Sequence, residues 1–328
     1  MLNMSFPLLN INGLSISFNT ERGPLQVVSK ISLTIRNAEV FGLVGESGCG
    51  KSLTALSILR ILPNNAYTEG EIFFNNENLL SLPDDQMRKI RGKDISMVFQ
   101  EPMTSLNPVL TIGYQIAEAL RTHYKLSKGA AMDRTIDLLR AVKMPSAELR
   151  VKDYPHQLSG GMRQRVLIAM AISCNPALLI ADEPTTALDV TVQAQILELL
   201  QELRRQRNMA IMLITHDLGI ISEQAERVAI MYAGRIMEVA DVDELFQNPL
   251  HPYTICLLES LPRAKGTALK PIPGFVPSPN QLPKGCKFSD RCRWATDESK
   301  SKEPELLEVS RNHYVRCINW NRIQRERF

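Results

Sequence analysis

The chain of 328 residues has almost no charge of one sign in excess. Its 38 basic and 35 acidic side chains are mixed along the sequence and leave a formal net charge of +3 at pH 7. Such a balance generates no single-sign field, so composition names no nucleic-acid partner. A long apolar run is missing too. The most hydrophobic stretch, RVLIAMAISCNPALLIAD (165–182), is broken by Asn175 and Pro176 and bounded by Arg165 and Asp182. It falls short of the roughly 20 apolar residues that cross a bilayer, and any membrane role is expected to be peripheral. The opening MLNMSFPLLN has no basic segment followed by an apolar core and a small-residue cleavage site, so no signal peptide is read and a cytoplasmic location is expected. Tandem repeats are absent. What remains is ordinary globular composition, 44% hydrophobic and 22% charged, enough for a large core with smaller lobes.

The periodicities point to an α/β protein. Residues 8–38 alternate apolar and polar, with Leu14, Ile16 and Phe18 on one face and Gly23–Pro24 as the expected turn, which predicts antiparallel strands. EVFGLVG (39–45), ALLIADE (177–183) and AIMLITHD (210–217) are short, nearly continuous apolar runs, as strands covered on both faces of a parallel sheet require. From about 111 to 145 the spacing turns helical, through Ile112, Ile116 and Leu120 and then Ile136, Leu139 and Val142. This predicts a helical insert, about 101–165, between sheet strands. Beyond about 262 the text becomes rich in Pro and Gly and leads to a small tail bearing cysteines.

Two glycine-rich stretches carry the chemistry. In GESGCGKS (45–52), Gly45, Gly50, Lys51 and Ser52 fit the phosphate-loop spacing between an apolar strand and an apolar-periodic helix. Backbone N–H groups of Gly45, Glu46, Ser47, Gly48, Cys49 and Gly50 would surround the phosphates, Lys51 would reach the β and γ phosphates, and the Ser52 hydroxyl would ligate Mg²⁺. Asp182 ends an apolar strand, where a carboxylate is costly without a cation, and a Mg²⁺ beside Ser52 supplies one. Glu183 follows and would orient or deprotonate the attacking water. The competing reading makes Asp182–Glu183 an acidic helix start before Pro184, with Thr185 as cap. His216 ends the next apolar strand and is expected at the γ-phosphate. Gln100, ending ISMVF, would ligate Mg²⁺ or hold the water.

The second stretch, LSGGMRQR (158–165), precedes a helix whose expected apolar face is Met162, Val166, Ala169 and Met170. Ser159, Gly160 and Gly161 form a helix N-terminus suited to an anion. Because the loop at 45–52 already holds its own phosphates, the anion read here is expected to belong to another molecule.

These motifs together resemble the ATP-binding-cassette ATPases. GESGCGKS is similar to their Walker A loop, MVFQEP to the Q-loop, LSGGMRQR to the signature, LLIADE to Walker B, TTALD to the D-loop and ITHD to the histidine switch, all in the family's order. The resemblance implies a P-loop NTPase fold with an antiparallel β subdomain, a helical signature subdomain and a head-to-tail dimer. In such a dimer Ser159 and Gly161 would read the γ-phosphate of the partner's ATP. Phe18 stands where the family places an aromatic residue on adenine, its alternative being a place in the strand core.

FQEPMTSLNP, YPHQLSGGM, HPYT (251–254) and the tail further resemble the ATPase subunits of dipeptide and oligopeptide permeases. That resemblance implies an ATP-binding domain at 8–260, an extension at 261–328 and a peripheral position on the cytoplasmic side of the inner membrane. Its implied partners are a sister ATPase, two membrane-spanning permease subunits and an extracytoplasmic binding protein. Residues 101–110 would transmit dimer closure to a membrane subunit. Related systems for nickel, glutathione or antimicrobial peptides, and soluble non-transport cassette ATPases, are the alternatives.

Of six cysteines, Cys49, Cys174 and Cys256 are isolated and expected as small buried hydrophobes. Cys286, Cys292 and Cys317 match three ligands of an iron–sulfur set carried by those subunits, but the fourth position holds Ser299. Serine is a harder and less acidic ligand than thiolate. This leaves either an oxygen-ligated cluster or a tail folded by packing alone, and the second is the expectation.

Overall fold

The computed structural model describes residues 6–100, 105–186, 188–261 and 271–327. Positions 101–104 of the expected coupling segment, Ala187 of TTALD and 262–270 of the connection to the tail lie outside the described residues. The first strands are β1 (Leu9–Thr20), β2 (Gly23–Ile35), β3 (Val40–Val44), β4 (Ala66–Phe74) and β5 (Glu77–Asn78). They are followed by β6 (Ile95–Val98), β7 (Leu178–Asp182) and β8 (Ala210–Thr215), and then by β9 (Arg227–Tyr232), β10 (Arg235–Asp241), β11 (Leu307–Ser310) and β12 (His313–Val315). The chain forms two compact units, one of Met1–Ile35, Val40–Leu80 and Leu213–Phe328, the other of Arg36–Glu39 and Ser81–Met212.

The first unit holds an antiparallel sheet in the order β2-β1-β4-β5. Alternation is the main cause: Leu9, Ile11, Leu14 and Ile16 of β1 and Ile31, Leu33 and Ile35 of β2 are buried, while Asn12, Lys30 and Ser32 between them are exposed and only Ser15 and Ser17 break the pattern by being buried as well. The β1–β2 turn falls two residues earlier than the sequence suggested. Thr20 pairs with Gly23 and Asn19 with Pro24, so Glu21–Arg22 make the turn and Pro24 lies inside an edge strand, where a missing N–H costs no ladder bond. The same unit carries the run β11-β12-β10-β9-β3. Its β9–β10 hairpin, which the pattern reading passed over, turns on Ala233 (φ 43°) and Gly234 (φ 76°), the two left-handed residues a tight hairpin asks for. A Cβ at Gly234 would stand 2.1 Å from the Val27 carbonyl oxygen, so no other residue fits.

In the second unit β6 and β7 pair in parallel with Ile95 opposite Leu178 and Val98 opposite Ala181. The expected helical insert is present as Ile112–Tyr124, capped by Thr111, and Lys128–Ala141, capped by Ser127. Helix Gly160–Ala171 departs from its expected face: Gln164, Val166, Leu167, Ile168 and Ala169 are buried, whereas Met162 and Met170 are half-buried. It packs against β6 and against helices Ile112–Tyr124, Lys128–Ala141 and Val190–Arg207. A helix covered on several sides has no single apolar stripe. Among the described residues no helix is long and apolar enough to cross a membrane.

Candidate active site

In the first unit β3, fully buried along its length, delivers the chain into the loop 45–50 and then helix Lys51–Ile58. Gly50 adopts φ 109°, and a Cβ there would meet Met231 and Val28 side-chain carbons at 2.8 Å, so the sharp entry into the helix requires glycine. The helix start has no side-chain cap and no acidic residue in its first turn. Its first N–H groups and the positive end of its dipole are therefore available to an anion. Ser52 stands in that first turn, half-buried. Lys51 is buried, 5% exposed, and folds back over the loop, its Nζ donating to the carbonyls of Gly45 (2.7 Å) and Glu46 (3.2 Å). A phosphate would give this ammonium a stronger, charge-assisted acceptor. Cys49 is fully buried; burial pushes its thiol pKa up, with Lys51 opposing, and it is a packing residue, as expected. Cys174 is buried as well, but Cys256 is only half-buried.

Phe18 lies in β1 opposite Leu25 and Ala66 and is half-buried, so its ring keeps an accessible part. His216 follows the last residue of β8 and is exposed. The next residue, Asp217, caps helix Leu218–Gln224 by accepting from the Gly219 N–H at 2.7 Å.

In the second unit the parallel register sets the ends of β6 and β7 side by side. The consequence is a direct contact between two predicted catalytic residues: Gln100 Nε2 donates to Glu183 Oε2 at 3.0 Å. Thr186 Oγ1 donates to the same carboxylate at 2.9 Å. Glu183 itself has φ 46°, a left-handed backbone that a long L side chain adopts at a cost of about 1–2 kcal/mol. Asp182 precedes it, buried at the strand end. The competing reading of this pair as a helix start does not hold. The following helix begins at Val190 and is capped by Asp189, whose side chain accepts from the Val192 N–H at 2.9 Å.

Ser159 caps helix Gly160–Ala171, its hydroxyl accepting from the Met162 N–H at 3.4 Å. Ser159 and Gly160 are exposed and Gly161 half-buried. A Cβ on Gly161 would lie 2.7 Å from Val192 Cγ1, so this glycine lets the helix start sit close on Val190–Arg207. The predicted magnesium donors Ser52, Gln100 and Asp182 offer hydroxyl, amide carbonyl and carboxylate oxygens, the donor class that Mg²⁺ prefers.

In the tail, Cys286, Cys292, Cys317 and Ser299 line one pocket. The donor set does not fit a four-ligand cluster. The space enclosed is about 10 Å³, near the lower limit for one water molecule. Ser299 Oγ is committed to a capping box, donating to the Thr296 carbonyl at 2.8 Å and accepting from the Thr296 N–H at 2.9 Å. Burial pushes the Cys292 thiol up to about 11 and the Cys317 thiol up to about 12. Among the described residues no three His, Cys, Asp or Glu side chains are grouped to hold a metal ion.

Three residues that motif reading missed support the phosphate loop. Arg291 forms an ion pair with Glu46 at 2.8 Å, the Tyr253 hydroxyl accepts the Glu46 N–H at 3.0 Å, and Tyr232 packs on Tyr253 at 4.7 Å between ring centroids, the rings tilted by 56°. Tyr253 belongs to HPYT, whose only signal was family resemblance. Arg291 has no local signal at all.

Residues 28–186 match the ABC transporter family and residues 237–298 the oligopeptide/dipeptide transporter C-terminal region. The chain is 50% identical over 315 residues to the oligopeptide transport ATP-binding protein AppD of Bacillus subtilis, covering 95% of this chain and 96% of that protein. It is 48% identical over 313 residues to the dipeptide transport ATP-binding protein DppD of Haemophilus influenzae, covering 94% of each. Among solved structures, the dimeric post-hydrolysis state of the ATP-binding cassette MJ0796 bound to ADP and Pi matches with a TM-score of 0.64 and 27% identity, over 71% of this chain and 98% of that one.

Proposed function

Since this chain belongs to the ABC transporter family, as an ATP-hydrolysing subunit bearing the oligopeptide/dipeptide transporter C-terminal region, we propose that it powers the import of di- or oligopeptides by hydrolysing ATP in a head-to-tail dimer. Its partners in this reading are a sister ATPase and two membrane-spanning subunits, with a binding protein supplying the peptide from outside, and its place is the cytoplasmic face of the membrane. Residues 8–260 form the ATP-binding domain and 261–328 the extension.

The single observation that carries the catalytic assignment is Glu183, held in a left-handed backbone with its carboxylate fixed by Gln100 and Thr186. Strain of this kind persists where surrounding structure over-determines it, and it clusters at functional sites. Glu183 accepts a proton from the attacking water, Gln100 orients both, and His216 donates to the γ-phosphate. The loop 45–50 and Lys51 bind the phosphates, without the expected N–H groups of Glu46 and Cys49, which donate to the Tyr253 hydroxyl and the Glu46 carbonyl, and Phe18 covers the adenine. Ser52, Gln100 and Asp182 would hold Mg²⁺, which when bound neutralises phosphate charge. Ser159, Gly160 and Gly161 meet the γ-phosphate of the partner subunit's ATP, so that each nucleotide gains its second set of contacts only on closure and binding energy becomes motion. The tail holds no cluster and folds by packing alone.

The test is co-expression with candidate membrane-spanning subunits and the sister ATPase, followed by purification from membranes and an ATPase assay in proteoliposomes with the peptide-loaded binding protein. The expected result is one complex whose ATP hydrolysis rises with loaded binding protein. An ATPase that never recovers with membrane subunits, and is stimulated instead by DNA or ribosomes, overturns the proposal.

A further inference from the structure

Glu46, the second residue of the phosphate loop, is gripped at both ends by parts of the chain far from it in sequence. Its backbone N–H donates to the Tyr253 hydroxyl at 3.0 Å. Its carboxylate receives a two-pronged ion pair from Arg291, Nη1 to Oε2 at 2.8 Å and Nη2 to Oε1 at 3.2 Å. Nothing in the ATPase motifs calls for either partner, which lie 207 and 245 residues away.

The grip is built with more precision than a surface ion pair needs. The Arg291 side chain is only 6% exposed. Its Nε donates to the Pro273 carbonyl at 2.7 Å, and Nη1 also reaches the Tyr232 hydroxyl at 3.3 Å. The guanidinium stands 5.6 Å from the Tyr232 ring centroid and 5.7 Å from that of Phe288, within cation–π range. Tyr232, Tyr253 and Phe288 are fully buried and mutually packed. A planar fork with all three nitrogens engaged is a rigid element, and a lysine could not reproduce it. On the loop side, the Glu46 carbonyl accepts from the Cys49 N–H at 3.3 Å and from Lys51 Nζ at 3.2 Å. The residue held by the tail thus touches the lysine that binds phosphate.

We propose that Arg291 and Tyr253 are positioning residues for ATP binding, and that the C-terminal extension sets nucleotide affinity by holding the phosphate loop in its binding shape through Glu46. The inference deepens the proposed ATPase function and rests on the assignment of residues 45–52 to phosphate. Without the grip, the loop samples other shapes, and apparent affinity falls in proportion to the fraction still competent. A competent fraction of about one tenth corresponds to an affinity loss of about tenfold.

The experiment measures ATP dissociation constants, and KM and kcat for hydrolysis, on the purified full chain and on Arg291→Gln, Arg291→Lys, Tyr253→Phe, Glu46→Gln and the double variant Glu46→Gln/Arg291→Gln. Expected are a rise of about tenfold in Kd and KM for Arg291→Gln and Glu46→Gln, with a smaller change in kcat, a partial recovery in Arg291→Lys, and a double variant no worse than either single. Should Arg291→Gln fail to fold, Glu46→Gln and Tyr253→Phe carry the same comparison. Unchanged Kd in Glu46→Gln, or additive losses in the double variant, overturn the inference. Lys51→Ala separates it from the reading beneath: if that variant binds ATP as tightly as the parent chain, the phosphate assignment itself fails.

Discussion

Replacing Glu183 by Gln probes chemistry and positioning with one atom's change. The carboxylate accepts two hydrogen bonds, from Gln100 and Thr186. If Glu183 only organised these neighbours, the substitution would lose at most their net worth, about 0.5–1.5 kcal/mol each, and a flip of the Gln100 amide would restore one of them. One such bond corresponds to about a tenfold loss of rate at most, at 1.36 kcal/mol per decade. A general base contributes more, about 10²–10⁴-fold. The two roles therefore differ by at least a decade. Single-turnover hydrolysis with protein in excess over ATP, run beside a direct ATP-binding measurement, reads the difference. The expected outcome is ATP binding close to that of the parent chain with turnover lower by a factor of about 10²–10⁴. A Glu183→Gln chain that hydrolyses within about tenfold of the parent refutes the assignment of the base.

Gly161→Ala should destabilise the chain by about 1–3 kcal/mol, because its new methyl would meet Val192 Cγ1 at 2.7 Å and a helical valine has one strongly preferred rotamer; Gly160→Ala, 3.3 Å from the flexible end of Leu188, should cost less, and chemical denaturation followed by circular dichroism ranks the two. The buried His313 donates to Glu238 at 2.8 Å and also faces Glu244. Burial works against its charge, but the two carboxylates outweigh it and hold its pKa above the usual 6.5. A raised folded-state pKa means stability fully present below the unfolded value and lost as pH rises through the folded one. Melting temperature should thus fall on going from below 6.5 to alkaline pH, and His313→Gln should flatten that dependence; an unaltered slope in the variant would assign it to another group. Anaerobically purified protein should contain far less than stoichiometric iron and sulfide, and stoichiometric iron would show that the tail rearranges around a cluster despite Ser299.

How much of this was legible depended on the range of the cause. The phosphate loop could be read because its requirement is local: a strand, a turn that only Gly50 can make, and a helix start all lie within a dozen residues. Gln100 and Glu183 were each visible as polar residues ending apolar strands, and parallel pairing alone brings such ends together. The β1–β2 turn moved by two residues because an edge position relieved Pro24 of the ladder bond it cannot donate, a fact about sheet order that no dipeptide contains. The face of helix Gly160–Ala171 was read only in part, Val166 and Ala169 being buried as expected and Met162 and Met170 not, since its buried face depends on how many elements surround it. Arg291 lies at the far extreme. Its charge reads as any surface arginine would, and its meaning comes from a carboxylate 245 residues earlier and an aromatic floor supplied by β9, the helix that holds Tyr253 and one tail segment. A feature whose partners are scattered along the chain leaves no spacing to recognise. Motifs therefore identify the groups that touch ATP more readily than those that hold them in place, and Glu46, whose side chain the loop's motif leaves unspecified, is where the two kinds of residue meet.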